Sequence, residues 1–569
     1  YLNPIDPNSL LSDNIFNLAA VVREVALQDP ERTAVIEPDG FDAQGRRRYK
    51  RRTYTELSND AEAVALGLRE AGIAEKTRIV CMTPPGYEAC ALGLALQRVG
   101  ATTLWIDPSV GFCNVGERLR RIRPEGFAGV PISHLARILF GWGPRFPRHA
   151  IVIDGWWPGA HTLASLKRTP PARPAPPAVK PDDPAAVLFT TGSTGPAKPA
   201  LYLHRNFAHL YRIVNESWRF ETARGIPVDM AVFPAFFFIA LSAGGTMVVP
   251  PINFIFETPA KADPRALVDV INDCGVRSCF GSPVLLENMA RYAAAHDIKT
   301  PTFTRVIGGG APIFGPVMQA LLDMMGPRAE VFSNYGATEA LPTSEMSAQE
   351  VLAETWPLTL QGAGICVGRP FTGVELRIIE MSDGVIEHIE QARLLEAGEI
   401  GEILVRSKHV SPAYLDDPEN TRKNKIYGPE GEIWHRIGDA GYLDFKGRLW
   451  YCGRVSQRVK AGEGPLFSLN CEPIFDAHPA VRRSGLVGIP KDGAEEPVIC
   501  VELRKEHRGN EETIQNELLT LAAGHEATKQ IKHVLFPATL PTDPRHNSKI
   551  ERPKLAKWAA AKIRFRTNG

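Results

Sequence analysis

The stretch Thr190 to Lys198 reads TTGSTGPAK and follows an apolar run, Ala185 to Phe189, with the composition of a buried strand. Gly192 and Gly195 permit a tight turn that brings backbone close to a ligand. Thr190, Thr191, Ser193 and Thr194 supply hydroxyls and Lys198 supplies a cation, parts that together suit a polyphosphate. The loop departs from a Walker A loop, because its glycines are closer together and Pro199 follows the lysine where Ser or Thr would stand. One such loop alone reads equally well as a surface turn. The choice depends on what else the chain carries.

Two further strand ends share its character. Arg305 to Ile307 reads as a strand running into Gly308, Gly309, Gly310, Ala311 and Pro312, and a bare backbone there lets a flat ring lie against it. Ala329 to Phe332 leads into Asn334, Tyr335, Gly336, Ala337, Thr338 and Glu339. This second end gathers an aromatic face, a hydroxyl and a carboxylate, enough to stack a base, touch a phosphate and hold a magnesium ion. Upstream, Thr53 to Leu57 reads as a short strand or turn entering a helix over Ala61 to Ala71. A strand over Arg78 to Met82, a helix over Tyr87 to Val99 and a strand over Ala101 to Ile106 follow. This βαβ alternation predicts an α/β fold with a mostly parallel sheet covered by helices. The proline-dense Thr169 to Pro184 reads as an extended connector into the first loop.

Composition narrows the function classes. Across 569 residues, 65 Lys and Arg face 64 Asp and Glu, which leaves no global pull toward nucleic acid or an anionic membrane. Nine scattered cysteines without a CxxC pair suggest neither a disulfide framework nor a zinc site, and reduced cytosolic thiols are expected. The N-terminal YLNPIDPNSL lacks the basic and apolar blocks of a signal peptide. Met230 to Phe256 carries no charge and is long enough to span a bilayer. Its prolines and glycines argue instead for a buried strand, turn and helix, and its phenylalanines for the wall of an apolar pocket. The chain is therefore expected to be cytoplasmic and not an integral membrane protein. The basic run Arg46 to Arg52 reads as a solvated turn or a protein contact.

TTGSTGPAK, GGGAP, NYGATEA, WHRIGD at Trp434 to Asp439, GRVSQRVK at Gly453 to Lys460 and NSKIER at Asn547 to Arg552 occur in one order. In that order and spacing the chain resembles the adenylate-forming enzymes. The resemblance implies a large N-terminal part over 1–453 with the ATP and acyl pockets, and a small mobile α+β C-terminal part over 454–569. It also implies roles. The Thr190 to Gly195 hydroxyl loop and Lys198 would hold the β and γ phosphates of ATP. Tyr335 would stack on adenine near Gly309, Gly310, Ala311 and Pro312, with Asn334 and Gly336 beside it, and Thr338 would meet the α phosphate. Glu339 would bind Mg2+, Asp439 the ribose with Arg454 nearby, and Lys549 would act catalytically by neutralising charge between carboxylate and α phosphate. His204, Phe236, Phe237 and Phe238 would belong to the acyl pocket.

The sequence departs from the usual pattern of these enzymes at Ala197 and Pro199 in the loop, at Ser456 in the hinge and at Ser548 before the lysine. Phenylalanines also replace the usual aromatic-histidine gate at Phe233 to Phe238. NYGATEALPTSEM, GRLWYCGRVSQRV and NCEPIFDAHPAVRRSGLVG resemble, more narrowly, the β-lactone synthetases of bacterial long-chain olefin biosynthesis. That likeness implies a 2-alkyl-3-hydroxy fatty acid substrate, closed to a β-lactone through an acyl adenylate. It also implies partner proteins, a β-lactone decarboxylase and a ketone reductase. A fatty acyl-CoA synthetase shares the first half-reaction, and every motif above serves that half alone.

Overall fold

The protein is described from a computed structural model over residues 17–106, 112–142, 147–170, 179–190, 197–218, 226–232, 238–255, 257–542 and 550–563. Thr191, Gly192, Ser193, Thr194, Gly195, Phe236, Phe237 and Lys549, all assigned above to the site, lie outside the described residues.

The chain begins with strands β1 (Thr33–Phe41) and β2 (Arg47–Thr53), paired antiparallel. The next helix starts at Tyr54, earlier than the apolar pattern suggested. Thr53 caps it, accepting from the Glu56 amide at 3.1 Å while Glu56 accepts from the Thr53 amide at 2.7 Å. Then come β3 (Arg78–Met82), a helix over Tyr87–Val99 closed by left-handed Gly100, β4 (Thr102–Trp105), β5 (Gly126–Gly129), β6 (His149–Val152) and β7 (His161–Thr162). The hairpin β8 (Pro184–Phe189) and β9 (Pro199–Leu203) follows. With β19 (Ala413–Tyr414), these strands form an eight-stranded sheet in the order β19-β9-β8-β4-β3-β5-β6-β7. β3 through β6 and β8 pair in parallel, because each is an apolar run returned by a helix.

A second, fourteen-stranded sheet carries β10 (Val228–Ala231), β11 (Thr246–Val248), β12 (Ser278–Gly281), β13 (Arg305–Gly308) and β14 (Glu330–Ala337). These pair in parallel, with β1 joined alongside β11. It continues antiparallel through β15 (Ala340–Ser347), β16 (Ile365–Pro370), β17 (Glu375–Ile379), β18 (Gly401–Arg406), β20 (Lys425–Tyr427), β21 (Ile433–Leu443) and β22 (Leu449–Arg454). The described residues of the uncharged Met230 to Phe256 stretch are core through Val249, while Asn253 and Ile255 at its far end are exposed. β10, a helix over Phe238–Ser242 and β11 are buried throughout apart from the strand's first residue. Among the described residues no helix is long and apolar enough to cross a membrane.

Past Arg454 the chain builds separate small sheets: β23 (Val459–Ala461) with β24 (Gly464–Leu466), and β25 (Val481–Lys491), β26 (Ala494–Leu503) and β27 (His533–Leu535). Helices over Ser468–Asp476, Glu511–Ala523 and Arg552–Lys562 pack on them around their own apolar clusters. Asn470 Nδ2 donates to the Gly362 carbonyl at 2.8 Å, tying this part to the larger one.

Candidate functional site

β8 and β9 pair with Phe189 opposite Pro199, so the two ends of the first glycine loop leave the sheet side by side. The Thr190 amide donates to the Lys198 carbonyl at 3.0 Å, and the Lys198 amide donates to Thr190 Oγ1 at 3.0 Å. This pinch fixes the loop's mouth on the smaller sheet. The other two loops lie at the ends of β13 and β14 on the larger sheet. The Tyr202 hydroxyl, on β9, reaches across to the Thr338 carbonyl at 2.7 Å and locks the two sheets at this point.

The Gly308 to Pro312 loop forms a bare ledge. A Cβ on Gly309 would stand 2.6 Å from the Phe280 ring and 3.6 Å from the Asn334 carbonyl oxygen, whereas Gly310, at φ +83°, faces open space. Ala311 and Pro312 continue it, half-buried. Asn334 Oδ1 is buried beside this ledge with no hydrogen-bond partner among the described residues, an acceptor that fits an amino group on a flat ring. Tyr335 is buried, its hydroxyl donating to Asp439 Oδ2 at 2.7 Å and its ring tilted against Tyr451 at 5.6 Å. Asp439 stands opposite Arg454 in the β21-β22 ladder, and Arg454 Nη1 lies 3.0 Å from its Oδ1. Burial and the Asp439 charge hold the Tyr335 phenol well above its ordinary pKa, so it stays a donor. The sequence places Asn334 to Glu339 at a strand end. In the structure β14 runs on through Ala337, and Thr338 and Glu339 form the tip of a hairpin with β15. Gly336 is required there, since a Cβ would meet the Ala340 oxygen at 2.5 Å.

Lys198 and Glu339 meet around Tyr414, which β19 sets opposite Ala200. The Tyr414 hydroxyl donates to Glu339 Oε1, and the Lys198 and Lys425 ammonium groups stand 5.4 and 5.7 Å from the Tyr414 ring centre. Lys198 Nζ also donates to Asn424 Oδ1 at 3.3 Å. Burial lowers the Lys198 pKa against the raising pull of Glu339 and Asp417, and it pushes Lys425 down to about 7. His435, wholly buried opposite Lys425, is held well below its usual value and is neutral, its Nδ1 donating to the Asn424 carbonyl at 3.1 Å. Among the described residues no group of three or more His, Cys, Asp or Glu is arranged to hold a metal ion. A hard carboxylate at Glu339 fits Mg2+ of the kind that takes one or two protein oxygens and completes its shell with phosphates and water.

His204 requires a correction. Pro184 pairs with Leu203 at the far end of the β8-β9 hairpin, so His204 sits a strand's length from Thr190 and Lys198, its amide donating to the Asp183 carbonyl at 3.1 Å. It is buried and its pKa is pushed down to about 4 by desolvation, which is the setting of a neutral core histidine and not of an acyl-pocket wall. Phe238 is better placed. Its ring lies over Gly93 and edge-on to Trp105 at 6.4 Å, in the apolar cluster that also takes in Leu188, Phe280 and Ile307. Near Lys549, Thr542 bridges to Ile550, and Arg552 of the same motif is a buried anchor, ion-paired with Glu472 and donating to the Leu486 carbonyl at 2.8 Å. Ser456 is exposed in a short 3-10 helix over Val455–Gln457.

Sequence reasoning missed Tyr414, Asn424, Lys425 and His435. The run TRKNKIY reads as a solvated charged face, and nothing in its spacing signals that one of its lysines is only 1 % exposed.

Residues 22–415 match the family of AMP-binding enzymes. The chain is 36 % identical over 559 residues to an olefin beta-lactone synthetase of Stenotrophomonas maltophilia, covering 97 % of this chain and 99 % of that protein. It is 35 % identical over 552 residues to an olefin beta-lactone synthetase of Xanthomonas campestris, covering 96 % and 97 %. In fold it is similar to the amide bond synthetase McbA of Marinactinospora thermotolerans, with a TM-score of 0.76 and 21 % identity over 95 % of this chain and 99 % of that one.

Proposed function

This chain belongs to the family of AMP-binding enzymes, and we propose that it is the ATP-dependent ligase that closes 2-alkyl-3-hydroxy fatty acids to β-lactones. The observation that carries the reading is the likeness, over nearly the whole of both chains, to two proteins named olefin beta-lactone synthetase.

In the first half-reaction a carboxylate oxygen of the acid attacks the α phosphorus of ATP. A phosphorus–oxygen bond forms, the bond to the β phosphate breaks, and pyrophosphate leaves with an acyl adenylate behind it. In the second, the 3-hydroxyl oxygen attacks the same acyl carbon, the bond from that carbon to the AMP oxygen breaks, and the hydroxyl proton passes to the departing phosphate. The ring is strained, and a mixed anhydride has the driving force that a free carboxylate lacks. The protein must hold the hydroxyl in attacking geometry and keep water out, where intramolecular positioning is worth many powers of ten.

The residues take roles accordingly. The Gly309-Gly310 ledge and Asn334 receive the base, with Tyr335 stacking on it; Asp439 and Arg454 form the ribose wall; Thr338 faces the α phosphate. Lys198 and the Thr190 to Gly195 loop hold the outer phosphates. Glu339 would hold Mg2+, which when bound supplies charge neutralisation to the phosphates. Lys549 neutralises charge at the reacting carboxylate, carried on a part, 454–569, that moves relative to 1–453 between half-reactions. Phe236, Phe237 and Phe238 wall the alkyl chain. The enzyme works in the cytoplasm, beside a β-lactone decarboxylase and a ketone reductase.

The test is product analysis by mass spectrometry and proton NMR, with ATP, magnesium and a synthetic 2-alkyl-3-hydroxy fatty acid, with and without CoA. A β-lactone, AMP and pyrophosphate formed without CoA are expected. An acyl-CoA formed only when CoA is present would overturn the lactone reading and leave a fatty acyl-CoA synthetase.

A further inference from the structure

We propose that the adjacent residues Asn424 and Lys425 are positioning residues of the phosphate end, Asn424 steering Lys198 and Lys425 steering Glu339 through Tyr414 and Ser411. The inference rests on reading that end as the ATP phosphate and magnesium site.

The pair sits where the helix Pro418–Asn424 passes directly into β20. Asn424 is oriented from two sides. Its Nδ2 donates to the Asn420 carbonyl at 2.7 Å, and its own carbonyl accepts from His435. With the amide nitrogen so engaged, Oδ1 is the atom that meets Lys198 Nζ. Lys425 has different partners. Its Nζ donates to the Ser411 carbonyl at 2.5 Å, and the Ser411 amide in turn donates to the Glu339 carbonyl at 2.9 Å. The same ammonium stands over the Tyr414 ring, whose hydroxyl grips the Glu339 carboxylate. Main chain and side chain of Glu339 are thus both braced by groups that touch Lys425.

A wholly buried ammonium is a costly way to fill a strand position. Desolvating it costs several kcal/mol, whereas Leu or Met would fill the space without that cost. A purely structural role therefore does not account for a lysine here, but a donor that holds Tyr414 and Ser411 against a buried carboxylate does. Two neighbouring residues then set separate parts of one site. Asn424 acts on the cation that meets ATP, and Lys425 acts on the carboxylate that meets the metal.

The experiment is calorimetric binding of a non-hydrolysable ATP analogue to the full chain, with and without magnesium, alongside pyrophosphate release with the hydroxy acid. Asn424→Ala is expected to weaken the analogue about tenfold with or without magnesium, and Asn424→Asp further, since an ion pair would draw Lys198 from the phosphates. Lys425→Met is expected to raise the magnesium concentration for half-maximal binding about tenfold while leaving metal-free binding within about twofold. Tyr414→Phe is expected to reproduce that shift, and it carries the test if Lys425→Met does not fold. Variants that lower only the melting temperature, or that move ATP and magnesium dependence together, would overturn the proposal. If the unsubstituted protein binds the analogue but releases no pyrophosphate with any acid, the proposed reaction fails while the binding results still decide the positioning roles. If it binds no analogue, both fall.

Discussion

The two ends of the proposed nucleotide site are built on opposite electrostatic plans. At the nucleoside end every charge is met within the protein: Arg454 against Asp439, and Asp439 also taking the Tyr335 hydroxyl, behind a ledge of bare glycine backbone. At the phosphate end Lys198 and Lys425 gather around Tyr414 with one carboxylate, Glu339, between them. The charges of the first end are matched before a ligand arrives, with only the neutral acceptor Asn334 Oδ1 left open among the described residues. The second sets Lys198 in a desolvated setting, where a polyanion is worth far more than in water, while Lys425 is engaged by the Ser411 carbonyl and the Tyr414 ring. Shape recognition and charge recognition are thereby separated along one ligand.

The largest effect is expected at the phosphate end. Glu339→Gln should lower pyrophosphate release by about 10²–10³-fold, the usual loss when one preorganised electrostatic group is removed. Binding of a metal-free ATP analogue should hold or tighten, because a negative charge has gone from beside the polyanion. Loss of metal-free binding as well would break the contrast, since Glu339 would then be bracing the pocket and not serving the metal.

Asp439→Ala attacks the completed end. It strips the partner from a half-buried Arg454 and leaves the Tyr335 hydroxyl without its acceptor, so it should cost about 3 kcal/mol of stability as well as nucleotide affinity. Chemical denaturation with and without the ATP analogue would measure both. Unchanged stability would mean that this wall is as dependent on ligand as the other.

Much of this contrast was legible from sequence, for reasons specific to each residue. Glycine loops at the ends of apolar runs mark the strand ends, and the ordered motifs locate Asp439 and Arg454, which the β21-β22 ladder then sets opposite each other. The buried lysine was not legible. The short β20-β21 hairpin sets Lys425 opposite His435, and the Tyr414 strand over which its ammonium stands adds beside β9 in a long-range pairing that no local period encodes. His204 shows the reverse error. The resemblance put it in the acyl pocket, and an antiparallel hairpin carries it to the end away from the Thr190 and Lys198 pinch.

That displacement predicts a pH signature. Desolvation takes the His204 pKa from 6.5 in the unfolded chain to about 4 in the folded one. Above pH 6.5 both states are neutral there. As pH falls from 6.5 to 4 the unfolded chain takes a proton that the folded chain refuses, so stability falls by up to about 3 kcal/mol at 1.36 kcal/mol per unit. His204→Gln should flatten this acid-side decline in melting temperature, leaving the similar contribution of His409, also pushed down to about 4, and should leave alkyl-chain preference unchanged. A changed chain preference in the folded variant would restore His204 to the acyl pocket.

The smallest effect tests whether the nucleoside end is as rigid as its completed charges imply. Gly309→Ala places a methyl 2.6 Å from the Phe280 ring, which belongs to the apolar cluster shared with Ile307 and Phe332. A well-packed wall cannot absorb this, and overpacking of that kind costs about 1–3 kcal/mol. Because Gly309 lies on the ledge proposed to receive the base, the loss should appear in KM for ATP more than in kcat, and equally with or without magnesium. Gly310→Ala is the control for the same loop. It meets open space, so any cost there comes from its positive φ and amounts to about 1 kcal/mol. If Gly309→Ala proves neutral in denaturation and in KM, the ledge is compliant. The two ends would then differ in charge alone, and shape would lose its share of the recognition.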